Sequence, residues 1–372
     1  MSGEPIRDSV GFRRRLWTKY VSKPWLYGRT QLAMSEEPTP CGESPASPCL
    51  KDARESDFVS SDRTEVRRAL SRDGRKVLVK RYVRTLHRAN DSLARFIATR
   101  EVRLLQLIEQ AGSFDGEIAA MRLVEHDCDQ GWLTIEEAPG QPLLKSLASF
   151  RRLPPGMIAR GLIASGRWLR ALQKVPFDRR DITPIDPAHD PLDLREYCEI
   201  RWDSIHSWTS HFRHSDLPKR FLDRLSNLLA IWRPQALVWA HGDYCAANVL
   251  WDGTTLTAID YETARPRSPW IDATYFLVTM QSMAVNSPWR RFPIDEWRRH
   301  FLHGFGVSEL PNTPETRLCT MKHLLCKLGS SFRPRDRRLR ERIWVHYFRR
   351  RVIGLIEEEL ARPIDGIKDV DF

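Results

Sequence analysis

Three side chains that carry oxygen atoms are grouped in the stretch from residue 237 to residue 260, LVWAHGDYCAANVLWDGTTLTAID. Asp243 follows an apolar run, Asn248 comes five residues later, and Asp260 ends a second apolar run. Mg²⁺ prefers hard oxygen ligands of this kind, together with the phosphates of a substrate. If the fold brings the three side chains together, the stretch could therefore hold a magnesium ion.

A β-hairpin is predicted to bring these side chains together. The runs NVLW and LTAI flank Asp252-Gly253, and an Asp-Gly pair between two apolar runs is a strong turn signal. Because a hairpin joins its two ends, Asn248 and Asp260 are expected to lie side by side and close to Asp243. In the alternative interpretation, His241 and Asp243 only cap a turn and Asp260 only ends a strand.

The sequences HGDYCAAN at 241–248, IDYE at 259–262 and PWID at 269–272 resemble the phosphotransferase signature of the aminoglycoside phosphotransferase and choline kinase families. These families are small-molecule relatives of the protein kinases. The resemblance implies a bilobal protein-kinase-like fold of the α+β class, with a small β-rich N-lobe and a larger helical C-lobe. It also implies ATP- and Mg²⁺-dependent phosphorylation of a hydroxyl on a small molecule, such as an amino sugar, a choline-like amine or another sugar-containing acceptor.

The resemblance assigns a role to each polar residue of this stretch. Asp243 would orient and deprotonate the acceptor hydroxyl, as the catalytic-loop Asp does in kinases. Asn248 and Asp260 would hold the metal ion that bridges the ATP phosphates. His241 would support the loop, and Asp272 would be a scaffold residue rather than a catalyst.

A lysine in the first part of the chain fits the same interpretation. The run KVLVKRY at 76–82 is predicted to be the second strand of a hairpin that turns at the preceding Asp-Gly pair. Its alternation places Lys80 on the same face as Leu78. By the resemblance, a lysine on the cleft face of this strand pairs with the α- and β-phosphates of ATP. Lys76 is the weaker candidate for this role.

Glu101 is the expected partner of Lys80. Residues 91–110 are predicted to form a helix, and Glu101 falls in the middle of its apolar stripe. An unpaired buried carboxylate is destabilising, so it needs a cation. Alternatively, Glu101 lies at the edge of the stripe and reaches solvent beside Arg100 or Arg103.

Two further nucleotide contacts are implied by the resemblance. The run LTIEEAPG at 133–140 resembles the hinge between the lobes, so backbone groups of Glu137 and Ala138 would bind adenine. A loop over the phosphates would lie near the sequence FVSSDRTE, which contains no glycine. Ser60 and Ser61, with neighbouring backbone N–H groups, would contact phosphate there.

The elements that position these residues divide the chain of 372 residues into three predicted parts. Residues 1–57, rich in Pro, Ser and Glu towards their end, are predicted to be a disordered or docking tail. Residues 58–137 are predicted to form a β-rich, nucleotide-binding N-lobe, with further strands at 120–124 and 132–136. Residues 138–372 are predicted to form the mostly helical C-lobe, which is catalytic and binds the acceptor.

The composition excludes several classes of protein. Hydrophobic residues make up 41% of the chain and charged residues 29%, which suits a sizeable core. No run approaches the ~18 apolar residues of a membrane-spanning helix, and the basic N-terminus lacks the apolar run of a signal peptide. The seven cysteines include no CxxC pair, which argues against a disulfide scaffold or a zinc ribbon and favours a reducing, cytoplasmic location.

Two charged segments give conflicting indications of the acceptor. Residues 177–204 contain eight acids against four arginines, and could hold a cationic acceptor or form a solvated loop and an exposed helix. Residues 333–351 contain nine arginines against two acids, with aromatic residues between them. This arginine-rich arm could bind phosphorylated sugars, an envelope precursor or anionic lipid at the inner face of a membrane, or be a core helix with a cationic outer face. Although the net charge is +11, no nucleic-acid module is recognisable, and nucleic acid is not an expected partner.

Two other functions stay open at this point. The protein could be a kinase of lipopolysaccharide-core or envelope sugars, or a protein kinase, if acceptor binding depends on the arginine-rich arm. It could also be a catalytically idle kinase-like scaffold. A scaffold, however, has no need of the full set of five residues that the sequence contains, which are Lys80, Glu101, Asp243, Asn248 and Asp260.

Overall fold

The computed structural model describes eleven stretches of the chain, which are residues 50–51, 58–60, 64–82, 91–114, 116–149, 153–177, 191–209, 215–233, 237–286, 291–332 and 339–363. They belong to one unit that spans residues 47–372. The tail predicted at residues 1–57 lies outside the described residues, apart from residues 50 and 51.

Most of the strands lie before residue 143, and most of the helices follow it. The strands are β1 Leu50–Lys51, β2 Phe58–Ser60, β3 Thr64–Ser71, β4 Lys76–Tyr82, β5 Ile118–Ala119, β6 Leu123–Asp127, β7 Trp132–Glu136, β8 Gln141–Pro142, β9 Val238–Ala240, β10 Val249–Trp251, β11 Leu256–Ala258 and β12 Arg265–Arg267. The helices are α1 Asp91–Ala111, α2 Leu143–Ala148, α3 Pro155–Gln173, α4 Pro191–Trp208, α5 Leu217–Ile231, α6 Ile271–Asn286, α7 Ile294–Phe305, α8 Pro314–Phe332 and α9 Leu339–Ala361. Within the described ranges, no helix combines the length and the apolar character needed to cross a membrane.

An antiparallel sheet and one long helix form the N-terminal region. The sheet has the strand order β1-β3-β4-β7-β6, and β2 also pairs with β3. In the β3–β4 hairpin Val66 lies opposite Lys80, and the turn contains Gly74 at a φ of 80°. Helix α1 packs against β4, β6 and β7. The sheet and the helix therefore bring Lys80 and Glu101 into the same core.

One predicted strand, at residues 120–124, is shifted in the structure. The sheet uses β6 instead, with an irregular register between Leu123 and Glu125. The preceding strand β5 pairs in parallel with β11, which lies far away in the sequence. Sequence periodicity does not reveal such long-range pairing, so the prediction started the strand too early.

An aromatic core in the helical region supports the loop that follows β9. Trp168 of α3 is fully buried and stacks on Tyr244, with ring centroids 5.4 Å apart. Its ring also lies 6.2 Å from that of His241, and its indole N–H donates to the Ala119 carbonyl at 2.9 Å. The predicted α+β class, with a β-rich N-terminal region and a helical C-terminal region, is confirmed.

Candidate active site

The loop after β9 is held by the Asp272 carboxylate at the start of α6. Asp272 Oδ2 accepts the backbone N–H of His241 at 2.5 Å, and Oδ1 accepts that of Gly242 at 2.9 Å. Gly242 has a φ of 82°, and a Cβ atom there would lie 2.5 Å from the carbonyl oxygen of Thr263. The loop therefore requires glycine at this position, and Asp272 serves as its scaffold.

His241 ties this loop to the strand that precedes Asp260. The backbone N–H of Asp243 donates to His241 Nδ1 at 3.3 Å, so Nδ1 is the acceptor of the ring. Nε2 then carries the hydrogen and donates it to the Ile259 carbonyl at 2.9 Å. The buried His241 side chain thus fixes the distance between two segments that carry candidate functional residues.

Asp243 is half-buried, and two donors orient its carboxylate. Asn248 Nδ2 donates to Asp243 Oδ2 at 3.0 Å and to the Asp243 carbonyl at 2.9 Å. The Tyr275 hydroxyl donates to the same carboxylate, and burial together with the charge of Asp243 raises the pKa of Tyr275 well above its usual value. A carboxylate held in this way can meet an incoming hydroxyl in a fixed orientation.

The β10–β11 hairpin places Asn248 beside Asp260, as its Asp-Gly turn predicts. Val249 pairs with Ala258, and the Ile259 N–H donates to the Asn248 carbonyl at 2.9 Å. Among the described residues, Asp260 is the one non-glycine residue with a positive φ, at 72°. This left-handed conformation costs of order 1–3 kcal/mol and occurs preferentially at functional sites.

Lys80 and Glu101 form a buried ion pair. Lys80 Nζ lies 3.0 Å from Glu101 Oε2, and the two side chains are 7% and 1% exposed. Lys80 Nζ also lies 3.1 Å from Asp260 Oδ1, and the Tyr82 hydroxyl donates to Glu101. Burial lowers the pKa of Lys80, but the carboxylates of Glu101 and Asp260 outweigh it, so the pKa stays above its usual value. A charged Lys80 therefore connects the N-terminal sheet to Asp260.

The alternatives for this pair do not hold in the structure. Glu101 is almost fully buried, so it does not reach solvent beside Arg100 or Arg103. Lys76, the weaker candidate for the phosphate contact, is exposed at the start of β4.

One backbone group of the segment predicted to bind adenine already makes a hydrogen bond within the protein. The Glu137 N–H donates to the Lys76 carbonyl at 3.0 Å. A contact from Glu137 to adenine would therefore come from its carbonyl oxygen, with Ala138 next to it. Of the two serines predicted to contact phosphate, Ser60 ends β2 and Ser61 lies outside the described residues.

Glu262 joins the N-terminal region to the segment that follows Asp260. The Thr64 hydroxyl, at the start of β3, donates to Glu262 Oε2 at 3.4 Å. The Arg100 guanidinium of α1 donates to the Glu262 carbonyl. These contacts hold the two regions together on the side of the metal-ligand candidates.

Asn248 and Asp260 provide a donor set that fits Mg²⁺. The amide nitrogen of Asn248 is used in two hydrogen bonds to Asp243, so its amide oxygen is the atom that can bind a metal. The Asp260 side chain is 28% exposed and adds a carboxylate oxygen. One amide and one carboxylate oxygen leave the other positions of an octahedral shell to phosphate oxygens and water, which is the arrangement that Mg²⁺ usually adopts.

Sequence patterns did not identify Tyr275 and Lys327, although the Tyr275 hydroxyl donates to the Asp243 carboxylate and Lys327 faces it. Lys327 Nζ on α8 lies 4.9 Å from the centroid of the Tyr275 ring. A signal is nevertheless present in the sequence, since Lys327 comes one turn after the buried Leu324 in a largely apolar helix face. It is the same signal that identifies Glu101 in α1.

The fold is shared with solved structures of small-molecule kinases. The ternary complex of streptomycin and ATP with the aminoglycoside phosphotransferase APH(2'')-IIa is 14% identical in sequence, with a TM-score of 0.51 over 84% of this chain and 91% of that one. For amicoumacin kinase hAmiN in complex with AMP-PNP, Ca²⁺ and Ami, the identity is 17% and the TM-score 0.51, over 82% of this chain and 91% of that one. An ethanolamine kinase from Plasmodium vivax is 13% identical, with a TM-score of 0.50 over 82% of this chain and 83% of that one. At these identities the likeness establishes the fold alone.

The family is established by sequence. No curated protein matches the chain. The model of the family described as "Phosphotransferase enzyme family", APH, matches residues 59–319, which is more than half of the chain. The predicted resemblance and the predicted enzyme class, a phosphotransferase with an alcohol group as acceptor, are thereby confirmed. The chain belongs to the APH phosphotransferase enzyme family.

Proposed function

We propose that the protein transfers the γ-phosphoryl group of ATP to a hydroxyl of a small molecule in a Mg²⁺-dependent reaction. One observation carries this proposal, namely that five polar side chains of the required types come together: Lys80, Glu101, Asp243, Asn248 and Asp260. Phosphoryl transfer depends mainly on positioning and on charge neutralisation, and needs little covalent help from the protein. This set of side chains supplies both.

In this proposal, Asp243 is the catalytic residue that receives the proton of the acceptor. The hydrogen bonds from Asn248 and Tyr275 keep its carboxylate oriented for that transfer. His241 and Asp272 are positioning residues, because they act through the backbone of the loop.

The metal and the phosphates would be bound on the other side of Asn248. Asn248 and Asp260 would hold Mg²⁺, which when bound neutralises charge on the β- and γ-phosphates. Lys80 would contact the α- and β-phosphates, and Glu101 would keep the lysine in place through their ion pair.

The remaining nucleotide contacts come from main chain and hydroxyl groups. The backbone of Glu137 and Ala138 would bind adenine, while Ser60 and Ser61 would contact phosphate. Two of the structures that share the fold contain ATP, or AMP-PNP with Ca²⁺, which supports a nucleotide and a divalent cation in this protein.

The proposed acceptor is a small molecule, such as an amino sugar, a choline-like amine or another sugar-containing compound, and the proposed compartment is the cytoplasm. The structure with streptomycin supports a sugar-containing acceptor. Within the described residues, Cys128, Cys198, Cys245, Cys319 and Cys326 are free thiols, which supports a reducing compartment.

Calorimetry with the wild-type protein tests this function. We expect ATP to bind in the presence of Mg²⁺ and to bind much more weakly after the metal is removed with EDTA, because the phosphate charge is then neutralised by Lys80 alone. Absence of Mg·ATP binding would favour the idle scaffold. Binding of Mg·ATP with no release of ADP in the presence of any alcohol from a broad panel would also favour the idle scaffold.

Helix α9 is proposed to contact anionic lipid, or an envelope precursor, at the inner face of a membrane. Ile343 is 65% exposed, and Arg350 and Arg351 are exposed two turns later. Arg349 does not contribute, because its guanidinium donates to the Ser331 carbonyl at 2.6 Å. Basic residues near an apolar side chain favour anionic membranes.

Sedimentation with vesicles tests this contact. We expect the protein to sediment with vesicles that contain phosphatidylserine at low salt, and the doubly substituted Arg350→Glu/Arg351→Glu protein to sediment less. Vesicles of phosphatidylcholine alone are the control. Equal sedimentation with both kinds of vesicle would contradict an anionic partner.

A further inference from the structure

A buried cation lies beside the proposed catalytic residue. Lys327 of α8 is 6% exposed, and its Nζ lies 4.9 Å from the centroid of the Tyr275 ring. The Tyr275 hydroxyl in turn donates to the Asp243 carboxylate. Lys327 faces this carboxylate together with the thiols of Cys245 and Cys326. The amino group of Lys327 is thus buried in the same cluster as the carboxylate that must meet the acceptor.

Lys327 belongs to a cluster of cations, which we call the cationic wall. The wall consists of five buried or half-buried side chains, which are Arg201, Arg265, Arg267, Lys322 and Lys327. Its members come from helices α4 and α8, which pack together, and from strand β12.

The members of the wall share neighbours. The Cys326 thiol faces Arg201, Lys322 and Lys327. Lys322 also faces the guanidinium groups of Arg265 and Arg267. The strand β12 that carries these arginines pairs with β9, which leads into the catalytic loop. The wall therefore extends from α8 to the base of that loop.

The surroundings of the wall disfavour the charged form of its two lysines. Burial lowers the pKa of Lys327 to about 7. Burial, with repulsion from Arg267, lowers that of Lys322 to about 8. A lowered lysine pKa means that the surroundings disfavour the charged form. Leu324 and Leu328 are buried on the same helix, so packing alone would favour an apolar residue at position 327. A buried charge that packing does not require is typical of a functional site.

We propose that the cationic wall selects an acceptor with an anionic group, a carboxylate or a phosphate ester, close to the hydroxyl that is phosphorylated. Lys327 is the residue that determines this specificity. The inference rests on the proposed function, because it needs the acceptor hydroxyl to lie within hydrogen-bonding distance of Asp243.

The geometry restricts where the charge of the acceptor can lie. Lys327 faces the Asp243 carboxylate, so in this proposal the substituents next to the reacting hydroxyl lie within the field of its charge. Lys327 repels a positive substituent there and attracts a negative one, and both effects are stronger in a buried site than in water. An ammonium group on an amino sugar or a choline-like amine would thus be disfavoured at this place.

The two charged segments of the sequence point to acceptors of opposite charge. The acidic segment at 177–204 suggests a cationic acceptor, but its residues 178–190 lie outside the described part of the chain. The cationic wall is formed entirely by described residues, and one of its members, Lys327, faces Asp243. An anionic sugar derivative also satisfies the expectation of a sugar-containing acceptor.

Four matched alcohols test the inference with the full-length protein and Mg·ATP, with ADP release as the readout. They are glucose, glucosamine, glucuronate and glucose 1-phosphate. We expect kcat/KM for at least one of the two anionic sugars to exceed that for glucose by about 10-fold or more, and glucosamine to be the poorest acceptor. Comparison of glucuronate with glucose 1-phosphate distinguishes a carboxylate from a phosphate ester. If glucosamine is the best acceptor, or if neither anionic sugar exceeds glucose, the inference is overturned.

The Lys327→Met variant tests the assigned residue. We expect the preference for anionic sugars over glucose to fall about 10-fold, with KM for ATP unchanged. Lys219→Met is the control, since Lys219 is exposed on α5 and pairs with Asp223 at 2.7 Å. A lower Tm with an unchanged preference would show that Lys327 is structural and would overturn its assignment.

Mg·ATP binding, measured in the same samples, separates the two proposals. If the wild-type protein does not bind Mg·ATP, the proposed function fails. If it binds Mg·ATP and phosphorylates only neutral or cationic alcohols, the proposed function holds and the cationic wall has no role in specificity. The wild-type measurements decide this even if Lys327→Met does not fold.

Discussion

Replacing Asp243 with Ala is expected to lower kcat by about 10³-fold while the affinity for Mg·ATP stays nearly unchanged. The carboxylate is the group that receives the acceptor proton in the proposed reaction, and general base catalysis typically contributes 10²–10⁴-fold. The nucleotide is assigned to other residues, so its binding does not depend on this side chain. Calorimetry for Mg·ATP and a coupled assay for ADP release measure the two effects separately.

Asp243→Asn is the companion variant, because Asn keeps an oxygen that can accept the hydrogen bonds from Asn248 and Tyr275. We expect it to retain the wild-type Tm and to lose activity as Asp243→Ala does. Asp129→Asn, at a side chain that is 86% exposed, makes the same chemical change away from the loop and should have no effect. Normal turnover of acceptor by either Asp243 variant would mean that another group is the base.

The parts of the site that could be predicted from the sequence are those set by local periodicity. The Asp-Gly turn fixes the β10–β11 hairpin, so Asn248 and Asp260 had to be neighbours. The position of Glu101 in the apolar stripe of α1 required a buried cation, and Lys80 is in contact with it. Both conclusions follow from the geometry of a single hairpin or helix and from the cost of burying a charge.

The parts that could not be predicted depend on contacts between distant segments. Strand β5 pairs with β11, which moves the next strand away from residues 120–124. The Glu137 N–H is used by Lys76 across the sheet, which no local pattern indicates. Tyr275 and Lys327 reach Asp243 from two helices that follow the catalytic loop, and only the packing of α6 on α8 brings them there. The buried charges around Asp243 therefore required the structure.

Asp260→Ala is expected to weaken Mg·ATP binding by at least about 100-fold, while the weak binding of metal-free ATP changes little. Loss of a residue that only supports a metal ligand already costs 10–100-fold in metal affinity, and Asp260 is proposed to be a ligand itself. Asp252→Asn is a matched control, because Asp252 lies in the turn of the same hairpin and accepts hydrogen bonds from the backbone N–H groups of Thr254 and Thr255 at 2.7 Å. Titration of ATP at several Mg²⁺ concentrations measures the effect.

The backbone of Asp260 makes a second variant necessary. Ala is strained at the φ of 72° found here, so Asp260→Ala loses backbone stability as well as the carboxylate. Asn tolerates this conformation and keeps one oxygen, so Asp260→Asn removes only the negative charge. We expect Asp260→Asn to retain the wild-type Tm and still to bind Mg·ATP at least about 10-fold more weakly. If Asp260→Asn bound Mg·ATP with wild-type affinity, Asp260 would not be a metal ligand, and its contact with Lys80 at 3.1 Å would be its main contribution.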